Sequence, residues 1–328
     1  MTGPLQDHAQ THSRSPDDKP SGRTAAGVNW RRWLVNGFVL AVAALAVYFI
    51  VRTVRRHGMD TILDALAQMP VANLAAAGGF AAASYLCLSG FDYFGSRYVD
   101  RPLSWPRALL GSFASLSIGH NVGFAGFSSG GLRYYFYSHW GMRAADVARL
   151  VVFSGIGVAI GISTIAGTGL LFYPRQAESL IGPNRAAVLA IATVCLTWPW
   201  LYLLATTRFR RALRLWKWHL TLPAPRLALW QILLGSANFA FVAACLHQLI
   251  TGLKATPYFE VLAVYALSQA AALLSHVPGG LGVLEASVLF LLPGVLSLAA
   301  VIAFRIVYFF IPLPFGLAAL ALTVLFRR

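Results

Sequence analysis

Residues 258–293 read YFEVLAVYALSQAAALLSHVPGGLGVLEASVLFLLP. The stretch is apolar enough to cross a membrane, yet its middle carries His276, Pro278, Gly279, Gly280 and Gly282. Proline removes a backbone donor and glycine weakens a helix interior. The stretch therefore reads as two helical arms joined at a break, not as one span. Residues 108–132 repeat the theme earlier in the chain. They are apolar and glycine-rich, with Ser117, His120, Asn121, Ser128 and Ser129 gathered toward the middle and Gly130-Gly131 near the end.

Around these two stretches lie six apolar runs, at 33–51, 71–92, 146–172, 187–206, 228–252 and 295–326. A helix of about 20 residues spans the ~30 Å hydrocarbon core. The whole chain of 328 residues is 58% hydrophobic with a mean hydropathy of +0.65. Only 11% is charged, against roughly 25% in soluble domains. That excludes a soluble enzyme, a nucleic-acid binder and a disordered scaffold. Short alternating strands, the mark of a membrane β-barrel, are absent from the sequence. The expected fold is all-α: a polytopic membrane bundle of about six full spans plus two re-entrant broken-helix hairpins, or about eight helices in a simpler count.

The formal charge is +15, from 26 Lys and Arg against 11 Asp and Glu. If both flanks of 108–132 lie on one side of the membrane, nineteen of the 26 cations gather there with both termini. The excess of cations in cytoplasmic loops then sets N-in, C-in orientation. In this topology 108–132 dips in and returns on the cytoplasmic side, and 258–293 does so from the opposite face. Two broken hairpins meeting from opposite faces are the sign of an inverted repeat. Irregular backbone at membrane depth survives only against protein or a wet cavity. Residues 1–28 are polar and read as a disordered cytoplasmic tail, leaving 29–328 as a single transmembrane domain. Cys87, Cys195 and Cys245 have no paired spacing and imply neither a disulfide framework nor a zinc site. No cofactor or metal is expected.

Three ions stand out in apolar surroundings. Glu285 follows the PGGLGVL break, where a new helix would begin and its N-terminus would favour an anion. Arg305, in AAVIAFRIVYFFIPLP, is the matching cation, and pairing the two would relieve both of a large desolvation cost. Arg133 follows GFSSGGL and either snorkels to cytoplasmic headgroups or offers its fork to a lipid phosphate. For Glu285 the alternatives are a structural ion pair or cap and a cavity residue contacting a headgroup, cation or proton. The aromatic run Tyr134–Tyr137 reads as part of the interfacial belt.

The segment HVPGGLGVLE (276–285), the earlier N-x(8)-GGLR (Asn121 to Arg133) and the late R-x2-Y-x3-P (Arg305, Tyr308, Pro312) resemble the lysylphosphatidylglycerol synthase transmembrane-region family. That family includes YbhN-like inner-membrane proteins and the flippase half of the aminoacyl-phosphatidylglycerol synthase/flippase. The resemblance covers roughly residues 30–328. It implies a membrane bundle and lipid translocation in a bacterial inner membrane, without the aminoacyl-transfer module. It also implies a headgroup cavity using Arg133, Glu285, Arg305, Asn121, His276 and Tyr308. The structural breaks that shape the cavity would be Gly130, Gly131, Pro278, Gly279, Gly280, Gly282 and Pro312.

The expected function is thus a flippase-like lipid translocase or lipid-binding integral membrane protein acting on an anionic or modified phospholipid. Its partners would be membrane lipids and a lipid-synthesis enzyme, with no nucleic acid. The alternatives are a membrane glycosyltransferase-related module using a lipid-linked substrate, or a non-transporting partner of a lipid-synthesis complex. No phosphate-cradling GxxxxGK[ST] loop is present. Directional movement would therefore depend on a gradient, a partner or downhill flow.

Overall fold

The computed structural model describes residues 60, 64, 67–122, 125–181, 184–208, 213–215, 218–220, 222–275, 282–293 and 295–325. The tail 1–28, the first expected span at 33–51, and His276, Pro278, Gly279 and Gly280 lie outside these residues.

The helices are α1 (Val71–Tyr98), α2 (Trp105–Val122), α3 (Ala125–Ser138), α4 (Ala144–Phe172), α5 (Arg175–Ile181) and α6 (Arg185–Arg208), then α7 (Pro225–Thr251), α8 (Tyr258–Ser275), α9 (Val283–Leu291), α10 (Val295–Arg305) and α11 (Pro312–Leu325). A π-helical turn, Ile306–Phe310, joins α10 to α11. The cationic loop after α6 carries one short antiparallel hairpin, β1 (Leu213–Leu215) with β2 (Trp218–Leu220), which the sequence reading did not anticipate. Among the described residues, five helices are long and apolar enough to cross a membrane: α1, α4, α6, α7 and the continuous 299–325 segment.

Side-chain distribution is that of a protein dissolved in lipid. Large apolar side chains face outward, with Leu274 80%, Phe315 64% and Trp200 62% exposed. Asp92, Arg133, Asn121, Gln231, Asn238 and Arg305 are buried. Ionisable groups inside a membrane bundle face its interior for want of water outside.

The helix α2 is 18 residues, about 27 Å at 1.5 Å per residue, and α3 is 14 residues, about 21 Å. A Cβ on Gly119 would lie 2.9 Å from that of Ser129, and one on Gly111 would overlap the Tyr137 ring. Rising numbers in one helix thus pair with falling numbers in the other, so α2 and α3 form an antiparallel hairpin. The first re-entrant hairpin is therefore present, with arms that run on to residues 105 and 138.

Contacts also fix the helix directions. Along α1 and α7, Asn73 bonds Gln248, Ser84 bonds Asn238, and Phe94 stacks on Trp230. Rising numbers in one helix meet falling numbers in the other, so α1 and α7 are antiparallel. The hairpin α2–α3 starts just beyond the end of α1. Likewise α8, which packs on α9, starts just beyond the end of α7. The two broken elements therefore enter from opposite ends of the bundle. Each repeat reads helix, broken hairpin, helix: α1, α2–α3, α4 and then α7, α8–α9, α10–α11. The inverted-repeat-like architecture is a property of the fold.

The two repeats meet backbone to backbone where α4 crosses α7. A methyl on Gly235 would overlap the carbonyl oxygen of Gly157, and one on Gly161 would overlap that of Gly235. Small residues allow such backbone approach in the absence of a hydrophobic force between helices. Gly235→Ala is expected to destabilise by about 1–3 kcal/mol through overpacking. Gly79→Ala, with no atom within 4 Å of the added carbon, should hold or slightly raise the melting temperature in detergent, because alanine suits a helix interior better than glycine. Equal melting temperatures for the two variants would contradict the crossing.

Candidate functional site

The α8–α9 break resumes as helix at Val283, one residue after Gly282. Gly282 has φ +84°, a conformation that disfavours side chains. Its backbone N–H donates to Glu285 Oε2 at 2.8 Å. Glu285 is thus the third residue of α9 and reaches back to cap it. The same carboxylate receives Arg305 Nε at 2.7 Å on Oε1 and Nη2 at 3.2 Å on Oε2. This is a bidentate fork, the strong form of the carboxylate–guanidinium pair. The side chains are 12% and 5% exposed. The guanidinium also lies 4.9 Å from the Phe309 ring centroid. One helical arm and the final span are clamped by the two isolated charges the sequence singled out.

The other hairpin carries a second ion pair. Arg133 Nε donates to Asp92 Oδ2 at 2.8 Å, and Nη1 donates to Ser129 Oγ at 3.0 Å. Tyr137 Oη donates to the same Asp92 oxygen, and Ser154 Oγ lies 3.5 Å from the other. Arg133 is 4% exposed and Asp92 is fully buried. The snorkelling position considered for Arg133 is therefore not adopted. The guanidinium turns inward, because Asp92 supplies a buried counter-charge within reach.

Asp92 was missed as a partner because the apolar run was taken to stop at 92, whereas α1 continues to Tyr98. The aromatic run is likewise not an interfacial belt. Tyr135, Phe136 and Tyr137 are buried, since α3 packs against α2 and α4. A single acid five residues before Arg97, within a helix this apolar, is the available signal.

Between the ion pairs lies a polar crossing. Ser84 Oγ donates to Asn238 Oδ1 at 2.7 Å and shares a 2.8 Å hydrogen bond with Tyr308 Oη. Pro312 has no N–H, so in α register the carbonyl of Tyr308, four residues earlier, lacks a donor. It accepts instead from Tyr85 Oη at 3.3 Å. In π register the donor for Phe309 would be Pro314, which also lacks one. The Phe309 carbonyl accepts from Asn121 Nδ2 at 3.1 Å. With no water at membrane depth, freed carbonyls are satisfied by neighbouring helices. Asn121 is thus brought against the Tyr308-Phe309 backbone, one side from each repeat, in the π turn that runs into Pro312. His120 packs beside them, its ring 6.3 Å from that of Tyr308.

The structure therefore gathers Asn121 with Tyr308 and Glu285 with Arg305, and places Arg133 in a separate pair with Asp92. Gly130 is half-buried with open contact distances, and Gly131 lies on the same arm of α3. Tyr308→Phe is expected to cost about 1 kcal/mol, the usual worth of one neutral hydrogen bond. Ser84 keeps Asn238 as a partner, and the cost would be read from thermal unfolding.

A helical bundle with five candidate spans, outward apolar side chains and buried ion pairs is a polytopic integral membrane protein. The chain is similar over 87% of its length to the inner membrane protein YbhN of Escherichia coli, at 26% identity over 295 residues and 88% of that protein. It is also similar to the slr0712 protein of Synechocystis, at 28% identity over 289 residues, 87% of this chain and 88% of the relative. No family model matches the chain.

Proposed function

We propose that the protein is a flippase-like lipid translocase that acts on an anionic or modified phospholipid in a bacterial inner membrane, with both termini cytoplasmic. The observation that supports this reading is the pair of helical hairpins entering from opposite ends of the bundle. Each hairpin contributes one member of an ion pair, Arg133 to Asp92–Arg133 and Glu285 to Glu285–Arg305. Broken helices that meet within a bundle are the usual frame for a substrate site at membrane depth. The similarity to an inner membrane protein supports the location.

In this reading the Glu285–Arg305 fork is the exchangeable element. The guanidinium matches a phosphate as well as a carboxylate. A lipid phosphate could therefore take over the Arg305 fork while Glu285 holds a cationic headgroup group or stays on the Gly282 N–H. The swap keeps every buried charge paired, which lowers the penalty of carrying a headgroup through the bundle. His276, the further headgroup contact expected from the sequence, lies outside the described residues.

The test is transbilayer movement of fluorescent phosphatidylglycerol and of lysyl-modified phosphatidylglycerol in liposomes containing the purified protein. Label in the outer leaflet is bleached by a membrane-impermeant reductant. Protein-containing liposomes should lose the protected inner pool faster than empty ones. Equal rates for every anionic and modified lipid tried would overturn the proposal.

A further inference from the structure

We propose a second lipid-binding site, at the end of the bundle where α4 and α7 finish, specific for a phospholipid whose headgroup carries both a phosphate and an amine. A cavity of about 490 Å³ opens there among the end of α4, α5, the start of α6 and the start of α8. That is within the size range of small-molecule sites. Arg175 and Arg185 line it together with Glu178 and Glu260. Among the described residues, none of these four is within 4 Å of an opposite charge. Gln176 Nε2 donates to Glu260 Oε1 at 3.3 Å and holds that carboxylate at the wall.

Two cations and two anions are thus spread around one space instead of neutralising each other. A simple anion entering it would meet two carboxylates, and a simple cation two guanidiniums. A zwitterion satisfies both sets, since complementary charge placement selects a partner by suppressing mismatched ones. The arginines would take the phosphate, and the carboxylates the N–H donors of a primary ammonium.

The rim identifies a lipid as the source of that headgroup. Phe172 and Phe259 pack with ring centroids 4.7 Å apart and are 58% and 40% exposed, beside Leu171 at 50%. An exposed apolar edge directly below a polar cavity matches an acyl chain below its headgroup. This site is apart from the two ion pairs, and binding there stands or falls separately from translocation.

Native mass spectrometry of the full chain in detergent tests the proposal. Phosphatidylethanolamine, phosphatidylcholine and phosphatidylglycerol of identical acyl chains would be titrated, with glycerophosphoethanolamine as the chain-free headgroup. Phosphatidylethanolamine should bind one to one and about tenfold more tightly than the other two, because only it offers ammonium N–H donors to the carboxylates. The double variant Arg175→Gln/Arg185→Gln should weaken phosphatidylethanolamine and phosphatidylcholine alike, by about tenfold or more. Glu178→Gln/Glu260→Gln should erase the preference for ethanolamine over choline. Unchanged melting temperatures would show that the variants fold. Equal binding of phosphatidylglycerol, or unchanged selectivity in the Glu double variant, would overturn the charge assignment. Glycerophosphoethanolamine binding as tightly as the lipid would overturn the lipid assignment.

Discussion

Arg133→Ala is expected to destabilise the bundle by about 3–5 kcal/mol, the usual consequence of leaving one buried charge without its partner. Asp92 is fully buried and takes hydrogen bonds from Arg133 and Tyr137. Without the guanidinium, its buried carboxylate keeps only the Tyr137 hydroxyl and a 3.5 Å contact to Ser154 Oγ. Asp92→Asn should do similar harm for the mirror reason, because Arg133 is 4% exposed and has no route to solvent. The double variant Asp92→Asn/Arg133→Gln removes both charges and keeps polar groups in place, so it should recover most of the loss. Thermal unfolding in detergent, followed by the fraction of monodisperse protein, reads all three. A double variant as unstable as the singles would mean that shape, and not charge pairing, dominates this site.

The two ion pairs were unequally legible in the sequence, for a physical reason. Glu285 and Arg305 are single charges in long apolar runs, so the cost of leaving either alone forces attention on the other. Asp92 sits where α1 passes from apolar residues to the Tyr-Phe-Gly-Ser-Arg end of the helix, and composition alone ends the span nearly two turns too soon. Its partner Arg133 then looked like a loop cation.

The hairpins were legible because glycine and proline interrupt otherwise continuous apolar stretches. Their opposite directions followed from counting spans, and the α1–α7 contacts settle it. The π turn was less visible. Pro312 and Pro314 announce that helical donors are missing, but which side chains answer the freed carbonyls depends on Tyr85 and Asn121. These lie 223 and 188 residues away from the carbonyls they satisfy, and only the fold brings them there. The aromatic run at 134–137 misled because an interfacial belt and a buried helical face share the same composition.

Glu285→Gln and Arg305→Gln are each expected to abolish the accelerated lipid movement and to lower stability, while the double variant restores stability alone. Glutamine at 285 can still accept from the Gly282 N–H, so the cap on α9 survives. What the Glu285→Gln single variant leaves is a buried guanidinium without a counter-charge. The double variant removes that penalty and should melt close to the wild type. It still lacks the guanidinium fork and the carboxylate that the proposed exchange requires, so translocation should stay at the level of empty liposomes. Recovery of melting temperature without recovery of lipid movement separates a working pair from a structural clamp. If the double variant moves lipid at the wild-type rate, the Glu285–Arg305 pair serves only to pin α9 to the last span, and the headgroup path must lie elsewhere in the bundle.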